Sequence, residues 1–192
     1  TWSEAMAREF ILTGAPGAGK TVILRALEAQ GVDVVEEAAT DVIALDQGRG
    51  IEESWRRPEF ISDIARLQLL RAARPATGAV RVADRSLVCT LALAEYLGHP
   101  VPEVLAESIR SMLASGQYER QVLFVELLGF ITNTEARRIS LADSMRFERF
   151  HVEAYERFGF ELVRIPALPV NQRVAMVRSL IGHPAAATMN PD

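Results

Sequence analysis

The run Gly14-Ala15-Pro16-Gly17-Ala18-Gly19-Lys20-Thr21 fits the pattern G-x-x-x-x-G-K-[ST]. Every residue type in it has a chemical use. Glycines let backbone N–H groups turn inward and approach phosphate oxygens. A lysine after the last glycine reaches the β- and γ-phosphates of a nucleoside triphosphate, and the hydroxyl that follows ligates magnesium. A helix beginning there adds partial positive charge at its N-terminus. We therefore expect Gly14, Ala15, Pro16, Gly17, Ala18, Gly19, Lys20, Thr21 and Val22 to bind ATP or another nucleoside triphosphate together with Mg2+. The bland alternative is a glycine-rich turn of no function. At average residue usage a chance match in a chain this long is on the order of one percent, so the functional reading is preferred.

Three more groups have chemical potential. Asp84-Arg85-Ser86 ends an apolar run. An aspartate there can hold magnesium with Thr21, and an arginine beside it can counter phosphate charge in a transition state. Asp84 or Ser86 could equally cap the helix that follows. Glu36 and Glu37 end another run. One of them can act as base toward a substrate hydroxyl, or both can simply favour the positive end of a helix. Arg137-Arg138 sits in a polar stretch, where a lid over a moving phosphoryl group needs cations and where a solvated surface pair is the alternative.

The elements that must position these residues follow from periodicity. Short apolar runs at Phe10–Thr13, Val32–Val35, Ala79–Ala83, Gln121–Leu127 and Phe160–Ile165 read as buried strands. Helical spacing predicts helices from Lys20 to a stop at Gly31, over Ala38–Leu45, from after Pro58 to about Arg74, over Ser86–Leu97, Pro102–Ser115, Ala142–Phe158 and Val170–Ile181. Gln47-Gly48-Arg49-Gly50 reads as a loop. Strands alternating with helices imply an α/β protein, a five-stranded parallel sheet with helices on both faces in three layers. Ligands of such sheets sit beyond the carboxyl ends of the strands, where all three groups fall. We expect one domain over 1–181, a lid segment at about 129–141, and a disordered tail at 182–192.

Composition narrows the partners. The chain has 192 residues, a net charge of -4 and no long basic run, so no nucleic acid is expected. No apolar stretch is long enough for a membrane span and the start lacks a signal peptide, so a cytoplasmic location is expected. The single Cys89 cannot form an intrachain disulfide. Cys89 and the stripe Phe147, Phe150, His151, Ala154, Phe158 read as packing. Trp55–Phe60 and Gln68 either face an acceptor or pack a helix entry. Nothing in the pattern fixes oligomeric state, and a homodimer is compatible with it.

The order of these motifs resembles small P-loop kinases. Most similar is the AAA-labelled ATPase/kinase family that includes the ribosylnicotinamide kinase domain of bacterial NAD-regulating proteins. The resemblance rests on the P-loop, Val34-Val35-Glu36-Glu37-Ala38-Ala39 and Asp84-Arg85-Ser86-Leu87. It continues through Thr132-Asn133-Thr134-Glu135-Ala136-Arg137, Glu153–Phe160 and Val163-Arg164-Ile165-Pro166, and spans Phe10 to Ile181. It implies sheet order 2-3-1-4-5 and selects Glu37 as the strand-end glutamate. Two positions depart from the family: Thr40, where an arginine is common, and Leu127-Leu128-Gly129-Phe130, where a proline-rich turn is usual.

The sequence therefore predicts a kinase that moves the γ-phosphoryl group of ATP to a hydroxyl or phosphate on a nucleoside-like acceptor. Lys20, Arg85, Arg137 and Arg138 would neutralise phosphate charge, Thr21 and Asp84 would hold magnesium, and Glu37 would orient or deprotonate the acceptor. The rival is an NTPase switch acting with a protein partner. Against it, Val122–Glu126 lacks the Asp-Glu ending of AAA+ machines, and the last expected helix, ending near Ile181, leaves no helical lid domain of their kind.

Overall fold

The computed structural model describes residues 7–127 and 141–182. The expected lid with Arg137 and Arg138, and the tail beyond Gly182, lie outside the described residues. Five strands form one sheet: β1 Arg8–Thr13, β2 Asp33–Val35, β3 Val80–Asp84, β4 Tyr118–Val125 and β5 Glu161–Ile165. Their order is β2-β3-β1-β4-β5, and each neighbouring pair runs parallel. The helices are α1 Lys20–Ala29, α2 Ala39–Gly48, α3 Phe60–Ala72, α4 Leu87–Leu97, α5 Glu103–Ser115, α6 Leu141–Arg157 and α7 Val170–Gly182.

The three layers follow from the alternation of side chains along buried strands. On β1, Phe10 and Leu12 face one way and pack with Ile23, Leu24 and Leu27 of α1 and Val174, Val177 and Ile181 of α7. Ile11 faces the other way, into the cluster of Ile61 and Ile64 of α3, Val88 and Ala92 of α4, Leu105 of α5 and Ala154 of α6. Both faces of the central strand are thereby covered, which is why its run is apolar without alternation.

Several boundaries differ from the sequence reading by a residue or more, and two of the shifts have a clear cause. The helix α2 runs through Gly48 rather than ending at Leu45. Its stop is Gly50, at φ 81°, where Gly50 N donates to the Gln47 carbonyl and Ile51 N to that of Asp46. A helix tolerates one glycine, and termination came where positive φ was needed. The strand β4 begins at Tyr118, ahead of the apolar run. Tyr118 pairs with Glu9 of β1 before a register shift, so ladder hydrogen bonds extend the strand through the charged Glu119 and Arg120.

Candidate nucleotide and acceptor site

The loop from Gly14 to Gly19 leaves the central strand and enters α1. Gly14 adopts φ 143°, and a Cβ there would lie 2.3 Å from the Val125 carbonyl oxygen at the end of β4. No other residue fits without moving backbone. Gly17 and Gly19 also take positive φ. The N-terminus of α1 has no side-chain cap and no acidic residue in its first turn, so its orphan N–H groups and the positive end of its dipole face outward unneutralised.

Lys20, the first residue of α1, is buried, 8% exposed. Its ammonium donates to the Ala15 carbonyl at 3.2 Å. Burial, and then the neighbouring Arg85 cation, lower its pKa to about 8, while Glu37 and Asp84 oppose the shift. Thr21 and Val22 are exposed.

Asp84 lies in register with Leu12, one residue short of the end of β1, and is buried. The helix cap falls to Ser86, whose hydroxyl accepts from Val88 N at 3.2 Å. Asp84 and Thr21 offer oxygen donors alone. Among the described residues no group of three or more His, Cys, Asp or Glu side chains could form a metal cage. An oxygen-only set of one carboxylate and one hydroxyl fits magnesium, which keeps water and takes further oxygens from phosphate.

Between them stands Arg85, the one non-glycine with positive φ among the described residues, at 70°. Left-handed backbone costs a side-chain-bearing residue of order 1 kcal/mol or more, so its guanidinium is held by what it meets. Its Nε donates to Glu37 Oε1 at 2.6 Å and its Nη1 to His151 Nε2 at 3.2 Å. It also lies over the Phe147 ring, 5.6 Å from the centroid. Burial works most strongly against its charge, but Glu37, Cys89 and Asp84 together overcome it and raise its pKa.

Glu37 is fixed at both oxygens and at its carbonyl. Thr40 donates to Oε2 at 2.8 Å, and Arg71 of α3 donates to the backbone carbonyls of Glu36 and Glu37. Burial disfavours the carboxylate, yet the charges of Arg85 and Lys20 overcome it and bring the pKa to about 2. Glu36 turns toward solvent, where Arg25 meets it at 3.3 Å.

His151 completes the cluster from α6. Its Nδ1 lies 2.9 Å from the Phe147 carbonyl, which can only accept, and its Nε2 faces a guanidinium, which can only donate. Those partners assign the neutral Nδ1–H tautomer. Burial first, and Arg85 second, lower its pKa to about 3. Below it, Tyr155 OH stands 2.8 Å from Ser86 Oγ and 3.0 Å from Cys89 Sγ, and Cys89 Sγ stands 3.2 Å from Thr13 Oγ1. This buried polar chain ties α6 and α4 to the end of β1.

The fold thus brings Lys20, Glu37, Asp84 and Arg85 to neighbouring strand ends. Gln68 lies on α3 with its amide bonded to Thr90 at 2.6 Å and to the Ser86 carbonyl at 3.1 Å. Phe60 packs in the core and Trp55 is 40% exposed. Sequence reasoning missed Arg71, and it did not foresee the contacts of Thr40 with Glu37 or of His151 with Arg85. The helical spacing of His151 with Phe147 reads as packing, and His151 is indeed buried against that ring, but only the tertiary fold sets it against Arg85.

Known structures share this architecture. A NadR protein solved in complex with NR is 13% identical, with a TM-score of 0.66 over 96% of this chain. The match covers 54% of that chain, so this protein spans about half its length. A deoxyadenosine kinase from M. mycoides, solved with dCMP and dCDP, is 12% identical, with a TM-score of 0.62 over 91% of this chain and 98% of its own. A thymidylate kinase from Ehrlichia chaffeensis is 10% identical, with a TM-score of 0.58 over the same shares. No curated protein matches in sequence. Identities this low speak for the fold: a three-layer P-loop fold of the nucleoside-kinase type. The AAA domain family matches residues 9–173, most of the chain and the whole of the site described above, and the protein belongs to that family.

Proposed function

We propose that the protein is an ATP-dependent kinase for a small, nucleoside-like acceptor carrying a hydroxyl or phosphate. The observation that carries this reading is the Glu37–Arg85 pair, half-buried near Lys20 at the strand ends beside the phosphate loop. A binding switch needs a phosphate loop but has no use for a carboxylate fixed two strands away from it.

In this reading the loop N–H groups, the α1 N-terminus and Lys20 bind the triphosphate. Thr21 and Asp84 hold magnesium, which supplies charge neutralisation between the phosphates when bound. Arg85 faces the charge that develops on the transferred group. Glu37 accepts a hydrogen bond from the acceptor hydroxyl and aims its oxygen at the γ-phosphorus. A carboxylate with a pKa of about 2 is a weak base. That suffices for phosphoryl transfer, whose loose transition state leaves the hydroxyl proton in place until late. Arg137 and Arg138 belong to the same proposal as lid cations, with one domain enclosing loop, site and lid.

Release of ADP from ATP and Mg2+, screened across nucleosides, nucleotides and other hydroxyl compounds beside a Lys20→Ala control, tests the proposal. We expect at least one acceptor to raise turnover well above the control. If none is phosphorylated and none changes basal hydrolysis, the kinase reading fails.

A further inference from the structure

Arg173, in the first turn of α7, is 2% exposed. Its Nη1 donates to the Ala18 carbonyl at 2.7 Å, while its Nε is buried with no hydrogen-bond partner among the described residues. A Cβ placed on Gly19 would lie 3.1 Å from Nη1 and 3.2 Å from Nη2, so the guanidinium packs directly against the Gly19 backbone. A cation buried against a neutral carbonyl, with one nitrogen unsatisfied, is costly unless an anion approaches. The sequence pattern places the phosphates of a nucleotide on this loop.

The Ala18 carbonyl and the Gly19 N–H belong to one peptide unit. No peptide bond among the described residues is cis, so the two groups point in opposite directions. With the carbonyl drawn toward α7, the Gly19 N–H points away from it. In this loop pattern that N–H is one of those that meet phosphate oxygens. A cation on the carbonyl also polarises the peptide and makes its N–H a stronger donor.

We propose that Arg173 is a positioning residue for phosphate binding: by clamping the Ala18–Gly19 peptide it aims and strengthens the Gly19 N–H at the β-phosphate. The inference rests on the nucleotide-binding reading and deepens it. Arg173 acts through the peptide rather than by touching the nucleotide. It also joins the phosphate loop to the turn after β5, because its own N–H bonds to the Pro169 carbonyl at 3.1 Å.

The test compares binding of ADP and AMP to the wild-type chain, Arg173→Met and Arg173→Gln by calorimetry, counting the binding that inorganic tripolyphosphate displaces. We expect Arg173→Met to weaken ADP about tenfold, the equivalent of one net hydrogen bond, and AMP less than about twofold. Arg173→Gln keeps an N–H for the Ala18 carbonyl and is expected to fall between. Equal losses for ADP and AMP, or no loss for either, overturn the proposal. So does failure of both variants to fold by circular dichroism, which makes the residue a plain structural support. If the wild type itself binds neither ADP nor tripolyphosphate, the nucleotide-binding reading has failed instead.

Discussion

Arg85 Nε reaches Glu37 Oε1 at 2.6 Å, joining the ends of two adjacent strands by a charged hydrogen bond. The cation is thereby held in place before any ligand arrives, and the carboxylate stays ionised. An acceptor hydroxyl would meet a site whose charges are already set.

Glu37→Gln keeps the size of the side chain and removes its charge. We expect acceptor-dependent ADP release to fall by about 10²–10⁴-fold, the usual contribution of a positioned base. Nucleotide binding measured by calorimetry should stay within about threefold. A comparable loss in both measurements would mean that the residue organises the phosphate loop rather than the acceptor.

Lys20 gives a pH signature. Its pKa in the free protein is about 8, and bound phosphate must raise it. Binding therefore takes up protons when the pH is near or above 8, and affinity declines as pH rises further. Calorimetry in two buffers of different ionisation heat at pH 8.5 should show proton uptake by the wild type and none by Lys20→Met. Proton release on binding would contradict the assignment.

His151 is neutral because burial penalises its charged form and because protonating it would also set a second cation against Arg85. Its pKa of about 3 lies below the ordinary value of 6.5. The unfolded chain thus binds this proton first as pH falls. The stability it protects is intact above about 6.5 and is lost progressively between 6.5 and 3. Glu37, lowered from 4.5 to about 2, adds a loss of the same sign below 4.5. His151→Ala leaves a guanidinium N–H without its acceptor and should cost about 1–3 kcal/mol in urea unfolding at pH 7. His151→Gln restores the acceptor and should recover part of it.

Gly14→Ala should be severe. The new methyl would sit 2.3 Å from the Val125 carbonyl, at φ 143°. Overpacking and backbone strain together predict a loss of roughly 2–5 kcal/mol, read from the urea midpoint. Gly48→Ala, which meets nothing within 4 Å, is the control and should change stability little or raise it.

Much of this was legible in the residues because it depends on local chemistry. Glycines at fixed spacing before a lysine, apolar runs bounded by acidic residues and helical stripes each point to one backbone state. The sheet order came with the family resemblance, since periodicity alone does not say which strands are neighbours. The partners of Arg173 and His151 stayed hidden for that reason. Each is a polar residue on an amphipathic helix, 155 positions from Ala18 and 66 from Arg85 respectively, and nothing local marks its partner. Local pattern does not separate Glu36 from Glu37 either: the resemblance selects Glu37, and at the strand end Glu37 meets Arg85 while Glu36 turns to Arg25 at the surface.

The place of β1 between β3 and β4 has a consequence for biosynthesis. The first strand made has no partner until Val80–Asp84 emerges, and its second edge stays open until Tyr118–Val125 follows. Such distant pairings fold slowly. The phosphate loop, although made before β3 and β4, closes only after the end of β4 is available to pack against Gly14. A nascent chain in which Tyr118–Val125 has not yet left the ribosome should therefore not retain ATP, however complete its glycine-lysine signature.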